Sequence, residues 1–555
     1  MKRTSFAVFL VIFFLAFAEC TLAQGTYGAA TCNYSDVNAV VNGPTHTALN
    51  GDIIQIPAGS CTWSSILVAP AGVGITITGS GTPNSTPSTF GPSASCTATA
   101  ITVSASHMIE LRPDISAPLS RISCMKLLQG SSSIGAPLSA AGACNSSTCP
   151  SVRIDNVTFD SSLQGHSGDS GSQVLSDNIF GVIDHNSMAS PSNGMEFLSY
   201  NHSAWKGVGD FGDNSYTSAD SFGTAQNMYI ENNAFGNGGV LTETEAQVPF
   251  GNEGGGRVVV RFNSCNGCIV GLSNHGTDSN GRPRGARQGE FYGNSFLNCN
   301  TASGCQAVGA RSGVYMIFGN TLSQTGSGHY NSYFDQATFR VATIWSTPWN
   351  QCPGPYDQTS PLICTDQVGR SGGTLLSGVT PSATGWTNEV IDPSYEWNDS
   401  GPVPAFGTVT VNEGNQTANR DFFTDNSNGT PHIQTSSTSP FNGSSGVGFG
   451  TSVNRPTSCT LNSGSGAGSA GVGYWVTNQG TWNQAGNSFG QGQLYVCRDA
   501  ADQVDVNGKS TTCTQAQDSN HFWCLYYTPY GYPHPLITGT VTGLSPPTNL
   551  QAIVQ

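Results

Sequence analysis

One pattern recurs between residues 181 and 322: an apolar residue, two free positions, an asparagine, one free position and an apolar or small residue. It reads Ile183-Asp-His-Asn186-Ser-Met188, Ile230-Glu-Asn-Asn233-Ala-Phe235, Val260-Arg-Phe-Asn263-Ser-Cys265, Phe291-Tyr-Gly-Asn294-Ser-Phe296 and Ile317-Phe-Gly-Asn320-Thr-Leu322. An earlier copy, Ile154-Asp-Asn-Val157-Thr-Phe159, carries Val in place of Asn. Successive asparagines lie 47, 30, 31 and 26 residues apart. A short strand, a bend and a second short strand repeated at such a period is what a parallel β-solenoid requires, because each turn of chain must stack on the last. Asparagine suits the bend: it tolerates left-handed backbone geometry and bonds neighbouring main chain, so stacked copies would form a ladder. The competing architecture, a β-sandwich, would place strands at about 8–12-residue spacing, which this chain does not do.

The repeat also assigns faces. Three positions before each ladder asparagine stand Ile183, Ile230, Val260, Phe291 and Ile317, all apolar, so that side faces the core. Strand side chains alternate, which turns the second, fourth and sixth positions outward. Outward residues therefore include Asp184, Glu231, Arg261 and Tyr292, then Tyr229 and Glu290, then Arg257 and Gln288. With rungs about 4.8 Å apart, Glu231 is expected beside Arg261, and Glu290 one rung from Val259.

Charged residues make up 10% of the chain while Gly numbers 69, a balance that suits neither a disordered chain nor long helices and points to an all-β protein. The net charge of −15 opposes nucleic acid as a partner. Residues 1–23 carry Lys2 and Arg3, an apolar run from Phe6 to Ala18 and then Thr-Leu-Ala, which reads as a secretory signal cut near Ala23. The run is shorter than the roughly 20 residues of a membrane span, and no later segment is a candidate span. The expected location is secreted: extracellular, periplasmic or at the cell surface. Of 17 cysteines, Cys20 lies in the signal, and the remaining even number implies disulfides. Cys144 with Cys149, Cys299 with Cys305 and Cys352 with Cys364 would staple local loops. Cys265-Asn-Gly-Cys268 leaves a zinc or redox site open beside a disulfide, without a second such motif to complete it.

In chain order, residues 24–322 are expected to form the solenoid. Residues 323–536 read as further rungs with long decorated loops and an irregular cap rich in aromatics and Pro, ending in Tyr526-Tyr-Thr-Pro-Tyr530-Gly-Tyr-Pro-His534. Residues 537–555 read as a linker or tail. The opening Gly51-Asp-Ile-Ile-Gln-Ile-Pro-Ala-Gly59, together with the repeat, resembles the pectate-lyase-like secreted bacterial proteins, a group mostly without assigned activity. That resemblance implies a single-stranded, right-handed parallel β-helix. Val182-Ile-Asp-His-Asn186 is similar to the Ile-Asp-His strand of pectate lyases, and Glu290-Phe-Tyr-Gly-Asn294 to a late strand of theirs. Arg282-Pro-Arg-Gly-Ala-Arg287 is a rough counterpart of their catalytic Arg-x-Pro-x-x-Arg, with Pro one place early. The lyases' calcium-binding set has no matching context here; Asp210, Asp213 and Asp220 are the nearest substitutes, and calcium is the one cofactor that loops rich in Asp and carbonyls would suit.

Arg257, Arg261, Arg282, Arg284, Arg287 and Arg311 crowd one stretch of a chain poor in basic residues, and Arg binds carboxylates bidentately. With Tyr229, Tyr292 and the loop residue Trp205 they form the expected receptor for an acidic polysaccharide. β-Elimination would need a base: His275, whose pKa lies near neutrality, or by resemblance Arg282 or Arg287. Glu231 and Glu290 could instead serve an inverting glycoside hydrolase, although strand geometry separates their backbones by more than the ~6.5–9.5 Å such enzymes use between carboxyls. Outward Glu and Arg on neighbouring strands equally make plain cross-strand ion pairs, and a non-catalytic, glycan-binding surface or matrix protein, monomeric by preference, explains the composition without an active site.

Overall fold

The computed structural model of the chain describes residues 24–104, 108–130, 136–145, 148–160, 172–189, 195–202, 221–236, 239–243, 255–274, 285–299, 305–324, 330–336, 368–371, 390–401, 409–411, 418–425, 429–461, 470–499, 505–506, 509–518 and 520–539. Strands of three kinds recur along it, and each kind stacks on its own. The first stack contains Phe180–Asp184, Met228–Glu231, Arg257–Arg261, Gln288–Tyr292, Val314–Phe318, Ser394–Trp397 and Phe422–Thr424, paired in parallel. The second contains Ser187–Ala189, Ala234–Gly236, Ser264–Asn266, Ser295–Leu297 and Thr321–Ser323. The third runs through Ser172–Asp177, Met195–Asn201, Gly239–Glu243, Val270–Asn274, Cys305–Ala310, Tyr330–Gln336 and Val409–Val411. Two earlier strands, Ser120–Gln129 and Ser151–Asp160, pass through the first and second stacks without interruption. The molecule is thus nearly all β, an arrangement of long parallel sheets consistent with a parallel solenoid.

The faces fall as the repeat requires. Ile183, Ile230, Val260, Phe291 and Ile317 share one buried core with Met188, Phe235, Cys265, Phe296 and Leu322 from the second stack and with Leu272, Val308 and Phe334 from the third. Burying such a side chain stabilises by roughly 1.5–3 kcal/mol, and the stack repeats the gain at each rung. The helix Tyr34–Val41 closes the amino-terminal end with Val37, Val40 and Val41 inward, and Trp63 behind it donates its indole N–H to the Cys32 carbonyl at 2.8 Å.

The asparagines do form a ladder. Each side-chain oxygen accepts the backbone N–H of the ladder residue one rung earlier: Asn186 to Asn233, Asn233 to Asn263, Asn263 to Asn294 and Asn294 to Asn320, at 2.8–3.0 Å. Each amide nitrogen in turn donates to a main-chain carbonyl of the preceding rung, those of Ile154, Ile183, Ile230, Val260 and Phe291. Val157 lacks an amide but still donates its N–H to Asn186 at 2.8 Å, so it begins the ladder. One expectation is corrected: the left-handed backbone belongs to the residue before each ladder asparagine. His185, Asn232, Phe262, Gly293, Gly319 and Asn398 have φ between 51° and 66°. The preceding residue turns the corner, which leaves the asparagine side chain free to reach back across the rung.

The expected disulfides Cys144–Cys149 and Cys299–Cys305 are present, and Cys265 pairs with Cys268, which removes both thiols from any zinc or redox site. Cys352 and Cys364 lie outside the described residues. Four further bonds join Cys32–Cys61, Cys96–Cys124, Cys459–Cys497 and Cys513–Cys524. After Phe422–Thr424 the chain builds a separate five-stranded sheet from Val447–Gly450, Gly473–Val476, Gln493–Arg498, Cys513–Gln515 and Phe522–Tyr527. Its first pair is parallel and the rest are antiparallel. Among the described residues, no helix is long and apolar enough to cross a membrane.

The ladder ends on an acid. Asp399 accepts from Asn320 through one oxygen, from the backbone N–H at 2.6 Å and the side-chain amide at 2.9 Å. Its neighbour Glu396 stands in register with Ile317, so a carboxyl occupies the inward position held by Ile, Val or Phe in earlier rungs. Burial, with Asp425 and Asp399 nearby, pushes Glu396 well above the usual carboxylate range, and burial pushes Asp399 to about 7. A protonated Asp399 mimics asparagine, with an O–H where the amide has an N–H. Because its folded pKa is raised, its contribution is complete below the ordinary value near 3.8 and is lost as pH rises through about 7. Asp399→Asn should therefore match the parent near pH 3.5 and exceed its stability by a margin that grows to at least about 2 kcal/mol by pH 8. Urea denaturation at the two pH values measures this; a gap that does not widen with pH would show that the acid is not protonated in the fold.

Candidate functional site

The outward face of the first stack carries the charged residues that the repeat placed there. Glu231 pairs in register with Arg261, Val259 with Glu290 and Arg257 with Gln288. These residues are not open to solvent: Glu231, Arg261 and Glu290 are 0% exposed, Arg257 1% and Arg287 2%. The carboxy-terminal sheet and the segment after it lie over the face. Val182, Tyr229, Val259, Tyr292, Met316, Phe318 and Trp397 from the solenoid share a second hydrophobic core with Trp475, Trp482, Leu494, Tyr527 and Tyr532 from the cover. Tyr292, Phe318 and Trp397 stack rung on rung with centroids 4.5 Å apart, and Trp475 packs on Trp397 at 5.1 Å. The expected groove is therefore a closed interface at these positions, because the aromatic outward residues between the charges are an apolar surface that the cap buries.

Within that interface Arg261, Glu231 and Glu290 are each held by several partners. Arg261 donates from Nε to Glu231 at 2.6 Å, to the Tyr292 hydroxyl at 2.9 Å, and to the carbonyls of Tyr530 and Gly531 at 2.8 Å each. Its guanidinium carbon lies 4.6 Å from the centroid of the Tyr229 ring. The second oxygen of Glu231 accepts the backbone N–H of His534 at 2.8 Å. Burial raises Glu231 above the ordinary carboxylate value, with Arg261 opposing the shift. Glu290 accepts from the Tyr527 hydroxyl at 2.5 Å and from the Gly223 N–H at 2.7 Å. Burial nevertheless pushes it to about 7. Burial pushes His534 well below its usual value and keeps it neutral. Tyr229 donates to the Thr224 carbonyl at 2.5 Å. Arg257 approaches the Ser221 hydroxyl at 3.5 Å, Arg287 lies 3.9 Å from the Asp392 carboxylate, and Arg311 is half-buried.

The structure thus brings Glu231, Arg261, Tyr229 and Tyr292 into one contact network and sets Glu290 beside it. His275, Arg282, Arg284 and Trp205 lie outside the described residues, as do Asp210, Asp213 and Asp220. Among the described residues, one group of three His, Cys, Asp or Glu brings its ligand atoms close together, Cys144, Cys149 and His202, and its two cysteines are disulfide-bonded. The sequence reading missed a second set of ion pairs on the same face, Arg121 with Asp155 at 2.6 Å and Arg153 with Asp184 at 2.9 Å. Asp184 stands outward as expected; Arg153 belongs to the copy with Val157 in place of the asparagine and Arg121 to a rung with Met125 there, and the outward positions were counted only from the asparagine rungs. The covering residues Tyr527, Tyr532 and His534 lie in the aromatic segment expected to cap the chain, but nothing in their spacing says which surface they cover. Tyr532 reaches the Asn232 side chain at 2.7 Å and the Pro87 carbonyl at 2.8 Å.

No known family profile matches the chain, and no curated protein does. Among solved structures, an alginate lyase from Paenibacillus sp. str. FPU-7 aligns with 55% of this chain and 97% of its own, at 13% identity and a TM-score of 0.28. At that score the likeness carries no argument about this chain's site.

Removing one partner of the enclosed pair should cost far more than removing both. Arg261→Ala leaves Glu231 buried without its cation and is expected to destabilise by about 3–5 kcal/mol, whereas Glu231→Gln with Arg261→Met should recover more than half of that loss in chemical denaturation. Equal losses would mean that the pair is hydrated. A pH test isolates Glu290. As an acid with a raised folded pKa, it contributes fully below its ordinary 4.5, and the contribution is lost as pH rises through about 7. Glu290→Gln is expected to flatten that part of the pH–stability profile by on the order of 2 kcal/mol between pH 5 and 8; an unchanged slope refutes the assignment.

Proposed function

We propose that the chain is an exported, disulfide-stapled, right-handed β-helix protein that binds polysaccharide without cleaving it at the Glu231 and Arg261 face. The observation that carries this reading is the burial of Glu231, Arg257, Arg261, Arg287 and Glu290 beneath the chain's own cap. Elimination at a uronate needs a cation on the substrate carboxylate and a base beside the abstracted proton, both within reach of a polymer several sugars long. Arg261 directs four of its five N–H donors to Glu231, Tyr292 and the main chain of residues 530 and 531, and is itself 0% exposed. Such burial suits a structural role: enclosed ion pairs and stacked rings lock a cover onto a rod whose remaining surfaces present loops. The signal-like first residues, the even set of mature cysteines and the scarcity of charge agree with an extracellular scaffold.

A second reading, cleavage of an acidic polysaccharide, draws on one observation. Glu290 is held at about 7, the range in which a carboxyl can trade protons at neutral pH. It would require the cap to lift, with His275, Arg282 and Arg284 completing the site. One experiment separates the two: the full chain is tested on a glycan array and, in parallel, incubated with pectin, alginate and related uronans, with and without calcium. Binding without ultraviolet-absorbing product or new reducing ends is the expected result. Unsaturated product that disappears in Glu290→Gln would establish the lyase instead, and reducing ends without absorbance would establish a hydrolase.

A further inference from the structure

In the five-stranded sheet of the cap, Trp475 packs on Trp397 of the first stack, so strand alternation turns its neighbour Tyr474 to the opposite face. There Tyr474 pairs in register with Tyr495 and meets Trp523 at 6.3 Å between ring centroids. Arg455 lies across that far face. Its guanidinium carbon is 4.8 Å from the centroid of the Tyr495 ring and 5.8 Å from that of Trp523. The main chain is pinned on both sides of it. Asn454 donates its N–H to the Thr451 carbonyl at 3.0 Å and its side-chain amide to the Gln434 carbonyl at 3.1 Å, and the Pro456 carbonyl accepts the Trp523 indole N–H at 2.9 Å. The cation is thus preorganised on a fixed aromatic floor.

Arg121, Arg153 and Arg261 each bond a carboxylate of their own sheet. Arg455 does not: among the described residues, no acceptor lies within hydrogen-bonding distance of its half-buried guanidinium. Burial draws its pKa below the usual value, and the groups that oppose the shift are the phenols of Tyr495 and Tyr474 rather than a carboxylate. Asp518 follows Gln517, whose N–H bonds the Thr457 carbonyl at 2.7 Å, but its carboxylate is committed to His521 at 3.0 Å and to the N–H groups of Asn520 and His521. Stacking uses the faces of a guanidinium, while its N–H donors point outward in the plane, where a carboxylate or sulfate can take two of them at once. Gln479 stands at the rim of the same floor: its Oε1 accepts the Tyr495 hydroxyl at 2.7 Å, which leaves its amide nitrogen to donate to a sugar hydroxyl. The net charge of −15 repels a polyanion at a distance, so attraction has to come at contact, where a partly desolvated cation interacts more strongly than one in water. We infer that Arg455, with Tyr495 and Gln479, binds an anionic sugar unit, carboxylate- or sulfate-bearing, on the outer face of the cap. The inference rests on the polysaccharide-binding reading and gives it a site: the acidic ligand expected at the arginine-rich stretch is received by an arginine outside that stretch.

Calorimetry of the full chain at pH 7 with a galacturonate tetramer and a sulfated galactose tetramer tests it, each beside its uncharged form, methyl-esterified or desulfated. At least one anionic tetramer is expected to bind, one per chain and at least tenfold more tightly than its uncharged form, and the tighter of the two identifies the anionic group. Two variants address the site without touching the covered face of Glu231 and Arg261. Arg455→Gln removes the charge, whereas Gln479→Glu leaves Arg455 in place and sets a competing carboxylate at the rim from a half-buried position. Each is expected to weaken binding at least tenfold while the melting temperature stays within a few degrees of the parent. Equal affinity for charged and uncharged tetramers, or unchanged affinity in either variant, overturns the inference. If glycans bind on the array but neither anionic tetramer binds, the Arg455 site falls and the binding reading stands. If no glycan binds at all, both fall.

Discussion

A parallel strand stack is held by main-chain hydrogen bonds along its strands, but at each corner the chain changes direction and those bonds stop. Here one side-chain amide per rung takes over. The asparagine oxygen receives an N–H from the rung before, and its nitrogen returns a bond to a carbonyl of that same rung. A buried main-chain group without a partner costs on the order of 1–3 kcal/mol, so the ladder keeps the corners dry and the three strand directions in register. Everything outside depends on that register. It sets Glu231 beside Arg261, and it stacks Tyr292, Phe318 and Trp397 into a continuous aromatic strip.

The strip in turn explains why the charged face is closed. Outward rings on three successive rungs make an apolar surface larger than a soluble protein ordinarily leaves bare, and the carboxy-terminal sheet covers it with Trp475, Trp482, Tyr527 and Tyr532. Ionic groups between the rings must then be buried as well. The central pair is tolerated because it receives several partners: Arg261 a carboxylate, a phenol and two carbonyls, and Glu231 Arg261 and the His534 N–H. An isolated charge at the same depth would cost several kcal/mol. The carboxyls lacking a cationic partner, Glu290 and the Glu396 and Asp399 pair, respond by holding their protons to higher pH.

Polar chemistry on the first stack serves cohesion: Arg261 and Glu231 bond to each other and to the main chain of the cap. A row of arginines read along the chain suggests an anion receptor; read in three dimensions, Arg121, Arg153 and Arg261 are each paired with a carboxylate of the same sheet. Residues that are near in sequence and alike in charge need not share a ligand when the neighbouring rung already supplies the counter-ion.

Much of the architecture was legible without coordinates, because it follows from local chemistry repeated at a period. The apolar residue three before each asparagine determined the inward face, alternation determined the outward one, and parallel stacking determined which residues become neighbours, Glu231 with Arg261 among them. The bend was read one residue late: asparagine's tolerance of left-handed geometry suggested the wrong position, since its hydrogen bonding across rungs mattered more and the turn fell to His185, Asn232 or Phe262. What no periodicity could reveal was the cover. Tyr527 and His534 meet Glu290 and Glu231 across 237 and 303 residues, and such contacts depend on how a second sheet docks on the parallel stack. The sequence by itself determined the rungs, their faces and their register, because those are set by neighbours at a fixed spacing. Only the tertiary structure decided which outward face meets water, because exposure is a property of what else the chain brings to the surface.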